Sequence, residues 1–178
     1  VTTELAGPVE FEVVPLRKGA LEGASREELT AYREAIEDFS ATTSAFSIVM
    51  SNTSKKAEAM QKALDNTRQV PGTLDSLVHQ LKQDLMIMDE KLNGSSAKRE
   101  VGEKNAPTLR SRTWTAMSGL RTTYGPTPMQ RRSLELAVEE FNSLKNELMD
   151  IRENRIPAIE KMMIEAGAPW IEGQPFPE

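Results

Sequence analysis

From Leu29 to Leu64 one series of residues recurs at alternating steps of three and four. It runs Leu29, Tyr32, Ile36, Phe39, Thr43, Phe46, Met50, Thr53, Ala57, Met60 and Leu64. A repeat averaging 3.5 residues keeps one stripe on one side of an α-helix and needs an apolar partner along its whole length. A strand cannot satisfy it, because a strand alternates faces at every residue. Ser25 and Glu28 frame the start as a capping box, each side chain meeting the other's free backbone N–H. Val70-Pro71-Gly72 stops the pattern, so the helix is expected to run to about Thr67. At 1.5 Å per residue it is roughly 60 Å long.

Later segments supply what this stripe must pack against. Thr73 restarts a helix whose buried face is Leu74, Leu77, Val78, Leu81, Leu85, Met88 and Leu92, ended by Asn93-Gly94-Ser95-Ser96. Residues 95–106 are polar and without period and read as a loop. Pro107 and Thr108 open a shorter helix through Leu109, Thr113, Ala116, Met117 and Leu120, broken by Tyr124-Gly125-Pro126. Thr127-Pro128-Met129-Gln130 is a second capping box with Pro at the first helical position, where a missing N–H costs nothing. Leu134, Val138, Phe141, Leu144, Leu148 and Ile151 follow at helical spacing. Pro157 then predicts a kink, and Ile159, Met162 and Met163 continue the stripe. Ala166-Gly167 with Pro169 ends the helix, leaving Trp170, Ile171 and Phe176 to fold back. The short connections favour antiparallel neighbours. The middle pieces form either one broken third helix or a separate third and fourth.

The N-terminus differs. Val9, Phe11 and Val13 alternate with Glu10 and Glu12, the period of a half-buried strand. A lone strand leaves its backbone groups unsatisfied, so either it leans on the bundle or it ends a preceding domain, and the second reading fits the missing initiator Met. Residues 1–23 therefore read as an extended segment, the end of a preceding β-domain, plus a linker. Residues 24–178 read as the helical domain with its Pro- and Gly-rich tail. The absent initiator Met fits a processed product or an excised fragment. The fold class is all-α: an elongated antiparallel bundle of three to four helices, two long and the middle one broken, with a short N-terminal β or extended segment.

Composition narrows the function. Of 178 residues, 38% are hydrophobic, 28% charged and only 5% aromatic, which suits surface-rich helices. The net charge of −5, with mixed signs throughout, argues against nucleic acid as a partner. No apolar run approaches the ~18 residues of a membrane span, and no signal peptide opens the chain. With no cysteine, disulfides, thiolate metal sites and Cys nucleophiles are excluded. The single histidine, His79, cannot supply the paired Glu-x-x-His motifs of a di-iron bundle and reads as structural or solvated. No nucleophile elbow supports a Ser-His-Asp triad, and no Gly-rich phosphate loop is present. Glu139, Glu140, Glu147 and Asp150 read as a solvated helix face. Neither a catalytic residue, a metal ligand nor a cofactor is assigned.

Four residues stand out as candidate partner contacts. Trp114 packs in the core or at a helix edge, or else anchors a partner domain on the surface. Arg131 and Arg132, in the first turn of the last long helix, pair with acids across the bundle or offer a weak anion or partner contact. Trp170 is expected to pin the tail.

The run Tyr124-Gly125-Pro126-Thr127-Pro128-Met129-Gln130, the helix after it and Glu165-Ala166-Gly167-Ala168-Pro169-Trp170 resemble the C-terminal region of bacterial sortilin-like, BNR-repeat, glycosyl-hydrolase-like β-propeller proteins. Residues 7–16 resemble the segment leaving the small β-domain of such proteins. The resemblance implies an appended helical domain of an exported protein, periplasmic, cell-surface or extracellular. Its partners would be its own upstream propeller and β-domain, or a second copy. The propeller's Ser-x-Asp-x-Gly-x-x-Trp box is absent, so no hydrolase residue carries over. The expected role is a non-catalytic accessory domain for protein–protein contact, dimerisation or domain spacing. The alternative is a free-standing helical adaptor that binds a partner helix. Enzyme activity ranks third.

Overall fold

The computed structural model describes residues 6–14 and 19–174. Every regular element among them is helical. The elements are α1 (Arg26–Asp65), α2 (Gly72–Asn93), α3 (Ser96–Glu100), α4 (Leu109–Ser118), a 3₁₀ turn (Gly119–Arg121), α5 (Pro128–Asp150), a π-turn (Ile151–Arg155) and α6 (Ile156–Glu165).

The heptad seam is the buried face of α1. Tyr32, Ile36, Phe39, Phe46, Met50, Thr53, Ala57, Met60 and Leu64 are buried along it. Ser25 caps this helix reciprocally with Glu28. Thr53 is tolerated on the buried face because its hydroxyl donates to Val49 O one turn back (2.8 Å). Across from this face lie Val78, Leu81, Leu85 and Met88 of α2, and Ala137, Phe141, Leu144 and Leu148 of α5, in one continuous core. Phe141 is clamped edge-on between Phe39 and Phe46, with ring centroids 5.6 Å and 5.3 Å away. That geometry sets the positive ring edge against a negative ring face.

Cross-helix contacts give the chain directions. The Tyr32 hydroxyl meets the carbonyls of Ala116 and Gln130, Phe39 and Phe46 meet Phe141, and Lys56 pairs with Glu160 at 2.7 Å. Residue numbers thus rise together along α1 and along α5 into α6. On α2 they run the other way: Asp84 pairs with Arg155 at 2.7 Å, and Lys91 with Glu147 at 3.6 Å. Arg112 of α4 meets Glu140 of α5 at 2.9 Å and Ser118 meets Gln130 at 2.9 Å, again in the opposite sense.

Several expectations are corrected. Leu77 and Val138 lie 39% and 38% exposed, and Ala137 takes the core position on α5. Residues 95–106 are not all loop, because Ser95 caps the single-turn α3 through the Lys98 amide. Gly72, with Pro71 before it, rather than Thr73, begins α2.

At the site where Pro157 predicts a kink, the helix widens into the five-residue π-turn just before it. Pro157 has no N–H to give the Glu153 carbonyl, and its ring crowds that carbonyl in a regular helix. The widened turn, with Ile156 N–H bonded to Ile151 O, carries the chain into α6 in right-handed helical conformation. It also makes the buried series step five residues from Ile151 to Ile156 before resuming at Ile159 and Met163. Gly167, at φ 68°, closes α6, with Ala168 N–H returning to Met163 O at 3.0 Å.

Among the described residues the period-two segment pairs with no strand, and Val9, Phe11 and Val13 are exposed. Phe176 lies outside the described residues, as do positions 1–5 and 15–18.

Candidate functional site

The best-built local structure is a corner where the linker before α1, the end of α4 and the start of α5 meet. Gly125 turns the chain at φ 86°, and a β-carbon there would lie 2.7 Å from Ala24 Cβ and 3.1 Å from Leu29 Cδ2. Ala24 N–H donates to Tyr124 O at 2.9 Å, tying the linker down. Gln130 does more than complete its capping box. Its Oε1 accepts from Thr127 N–H (2.8 Å), while its Nε2 donates to Ser118 Oγ (2.9 Å) at the end of α4. Gly119 must be small here, since an added β-carbon would sit 2.9 Å from Pro126 Cβ.

Tyr32 reaches into this corner from α1. Its hydroxyl is buried and donates to Ala116 O at 2.9 Å, with Gln130 O at 3.3 Å. Burial raises the phenol above its usual value, and the nearby Arg131 charge partly opposes the rise. A raised phenol keeps its proton in the folded chain after the unfolded chain has ionised. Its contribution to stability is therefore complete below about pH 10 and drains as pH rises further. Urea unfolding from pH 8 to 11 should record this loss, and Tyr32→Phe should flatten it while costing about 1 kcal/mol at neutral pH. An unchanged pH slope in the variant would assign the loss to other groups.

Each candidate contact residue now has a place. Arg131 lies over the Tyr32 ring, 5.6 Å from its centroid, a cation–π contact across to α1. Arg132 does not reach across. It pairs with Glu135 (2.8 Å) and Glu139 (3.5 Å) of its own helix, which offset a positive charge at the positive end of the helix dipole. Trp114 is not in the core: it is 68% exposed on α4, with Met117 beside it 41% exposed. Trp170 lies past the end of α6, and its indole N–H donates to Gln174 O at 3.3 Å. Ile171 and Gln174 are both buried, with Ile171 N–H donating to Gln174 Oε1 at 3.1 Å. Trp114 lines a cleft of about 230 Å³ against Ser40, Thr43 and Ser44 of α1, Arg131 and Arg132 lie in the first turn of α5, and Trp170 sits past the end of α6. The four do not converge on one site.

Two clefts went unnoticed in the sequence because they arise between elements. One, about 450 Å³, lies between the end of α2, the segment around Asn105 and α5. Of its charges, Lys91 and Glu140 have partners in Glu147 and Arg112, and Glu90 and Lys98 also line it. The other, about 490 Å³, is a groove between α1 and α2, with serines 47, 51 and 54 on one wall and Met86 on the other. His79 is in neither; on exposed α2 surface it bonds Gln83 Nε2 at 2.9 Å. Among the described residues no group of three or more His, Cys, Asp or Glu side chains is placed to hold a metal. No helix there is long and apolar enough to cross a membrane.

No protein-family model, curated protein or solved structure matches the chain.

Proposed function

We propose that this chain is a non-catalytic helical domain that spaces and joins other protein parts. In this reading α1, the broken leg α2–α3–α4, and α5–α6 form an elongated three-legged bundle running up, down and up. The paired contacts along the legs support it.

One observation carries the functional reading: the chain arrives and leaves at separated levels of one long rod. The linker is tied at Tyr124, beside the start of α1, and a β-carbon on Gly173 of the tail would lie 3.4 Å from Lys56 Nζ. Those levels are about 45 Å apart along α1. Such a rod holds apart the protein parts joined to its two ends. The resemblance to the helical end of exported BNR-repeat, sortilin-like propeller proteins fits that role, and with it a periplasmic, cell-surface or extracellular setting.

The adaptor alternative draws on the α1–α2 groove, where Met86 is 58% exposed. Light scattering decides the dimerisation form: a concentration-dependent dimer supports it, and a strict monomer at high concentration ends it. Aryl-glycoside turnover by the chain would overturn the non-catalytic reading. The coding sequence upstream of Val1 separates the two partner models. Propeller repeats favour the appended domain, and an initiator Met favours the adaptor.

A further inference from the structure

Four large apolar residues in one short segment face solvent: Val9 79%, Phe11 84%, Val13 64% and Val14 65% exposed. Burying each such side chain is worth about 1.5–3 kcal/mol, so a surface of this kind marks a contact. Among the described residues, none of positions 6–14 makes a backbone–backbone hydrogen bond. The segment is tied to α1 at one point. Arg26 Nη2, in the first turn of α1, donates to Val13 O at 3.1 Å.

We infer that residues 8–14 are a docking strand that adds to the open edge of another domain's β-sheet, one carrying Lys or Arg opposite Glu10 and Glu12. This rests on the reading of the chain as an interaction domain and names its partner chemistry. Val and Phe favour the pleated conformation, and alternation gives one apolar face and one acidic face. Strand addition supplies the missing backbone partners and buries Val9, Phe11 and Val13 together. Pro8 sits at the first position, where a missing donor is tolerated. A second copy of the segment is a poor occupant. Pairing the apolar faces of two copies sets glutamates opposite glutamates, and like charges directly across a ladder destabilise it. The same rule makes a basic edge the favoured one.

The test uses the whole chain and two small three-stranded sheet proteins. Their open edges alternate Val with Lys in one and Val with Glu in the other. Amide exchange and chemical-shift titration read residues 9–13. The expected result is slowed exchange at these amides with the Lys edge, and at least about tenfold weaker binding to the Glu edge. Glu10→Lys with Glu12→Lys should reverse the preference, and Phe11→Asp should abolish binding to both. These residues are exposed, so unfolding midpoints of the variants should match the parent and any loss is a loss of docking. Equal affinity for the two edges, or no response at residues 9–13 with either, overturns the inference. Self-association measured on the Phe11→Asp variant keeps the outcomes apart. If scattering still reports a dimer while docking fails, only the strand assignment falls. If docking succeeds and the chain is monomeric, only the dimerisation form of the broader reading falls.

Discussion

Phe141→Ala should lower the free energy of unfolding by about 3–5 kcal/mol, the range for deleting a buried aromatic ring. Phe141 is 5% exposed and touches both Phe39 and Phe46 edge-on. Truncation removes both ring pairs and leaves a void that faces α1 midway along its length. The neighbours on α1 are locked in a heptad face and cannot collapse into the gap without shifting the whole helix. Phe141→Leu, which keeps most of the volume, should recover much of the loss. Urea denaturation followed by far-ultraviolet circular dichroism measures both. Equal losses for Ala and Leu would mean that ring geometry rather than filled volume sets the energy at this position.

Gly125→Ala comes second, with an expected loss of about 3 kcal/mol or more. A left-handed backbone costs a non-glycine residue of order 1–3 kcal/mol, and overpacking adds a similar amount. Both apply here, since φ is 86° and the added carbon would sit 2.7 Å from Ala24 Cβ. Gly167→Ala is the internal comparison. Its φ is 68°, yet nothing lies within 4 Å of an added β-carbon. The difference between the two variants isolates the contact between the corner and the linker. In thermal unfolding the Gly125 variant should melt about 6–12 °C lower, with a clearly smaller drop for the Gly167 variant. Identical drops would mean that the corner does not pack as described.

Much of the fold was legible because α1 is long and its period unbroken. Eleven positions from Leu29 to Leu64 were expected on one face, and all are buried or partly buried. The caps at Ser25 and Thr127 were equally readable, since their chemistry is local to four residues. Errors came where neighbours decide. Ala137 carries too little hydrophobicity to outrank Val138 in a sequence, yet it is fully buried while Val138 is 38% exposed. Ile156 escaped the stripe because the π-turn adds a residue that a regular helical period does not contain. Trp114 was harder still. Its sequence context left packing and a surface anchor both open, and only the orientation of the short α4 leaves the indole 68% exposed. The contact of Arg131 with Tyr32 joins residues 99 positions apart, and no local pattern announces it.

The proposed role as a spacer depends on α1 and α5 running in the same direction about a shared core. The natural chain has no cysteine, so pairs of spin labels can be placed without background. Glu34, Glu58 and Arg132 are all exposed, and Tyr32, close to Glu34, contacts Gln130 near the start of α5. Glu34 and Glu58 are about 36 Å apart along α1. Pulsed electron–electron distances should be short between 34 and 132 and longer by roughly 25–30 Å between 58 and 132. A reversed order, or two equal distances, would contradict the arrangement on which the spacer reading stands.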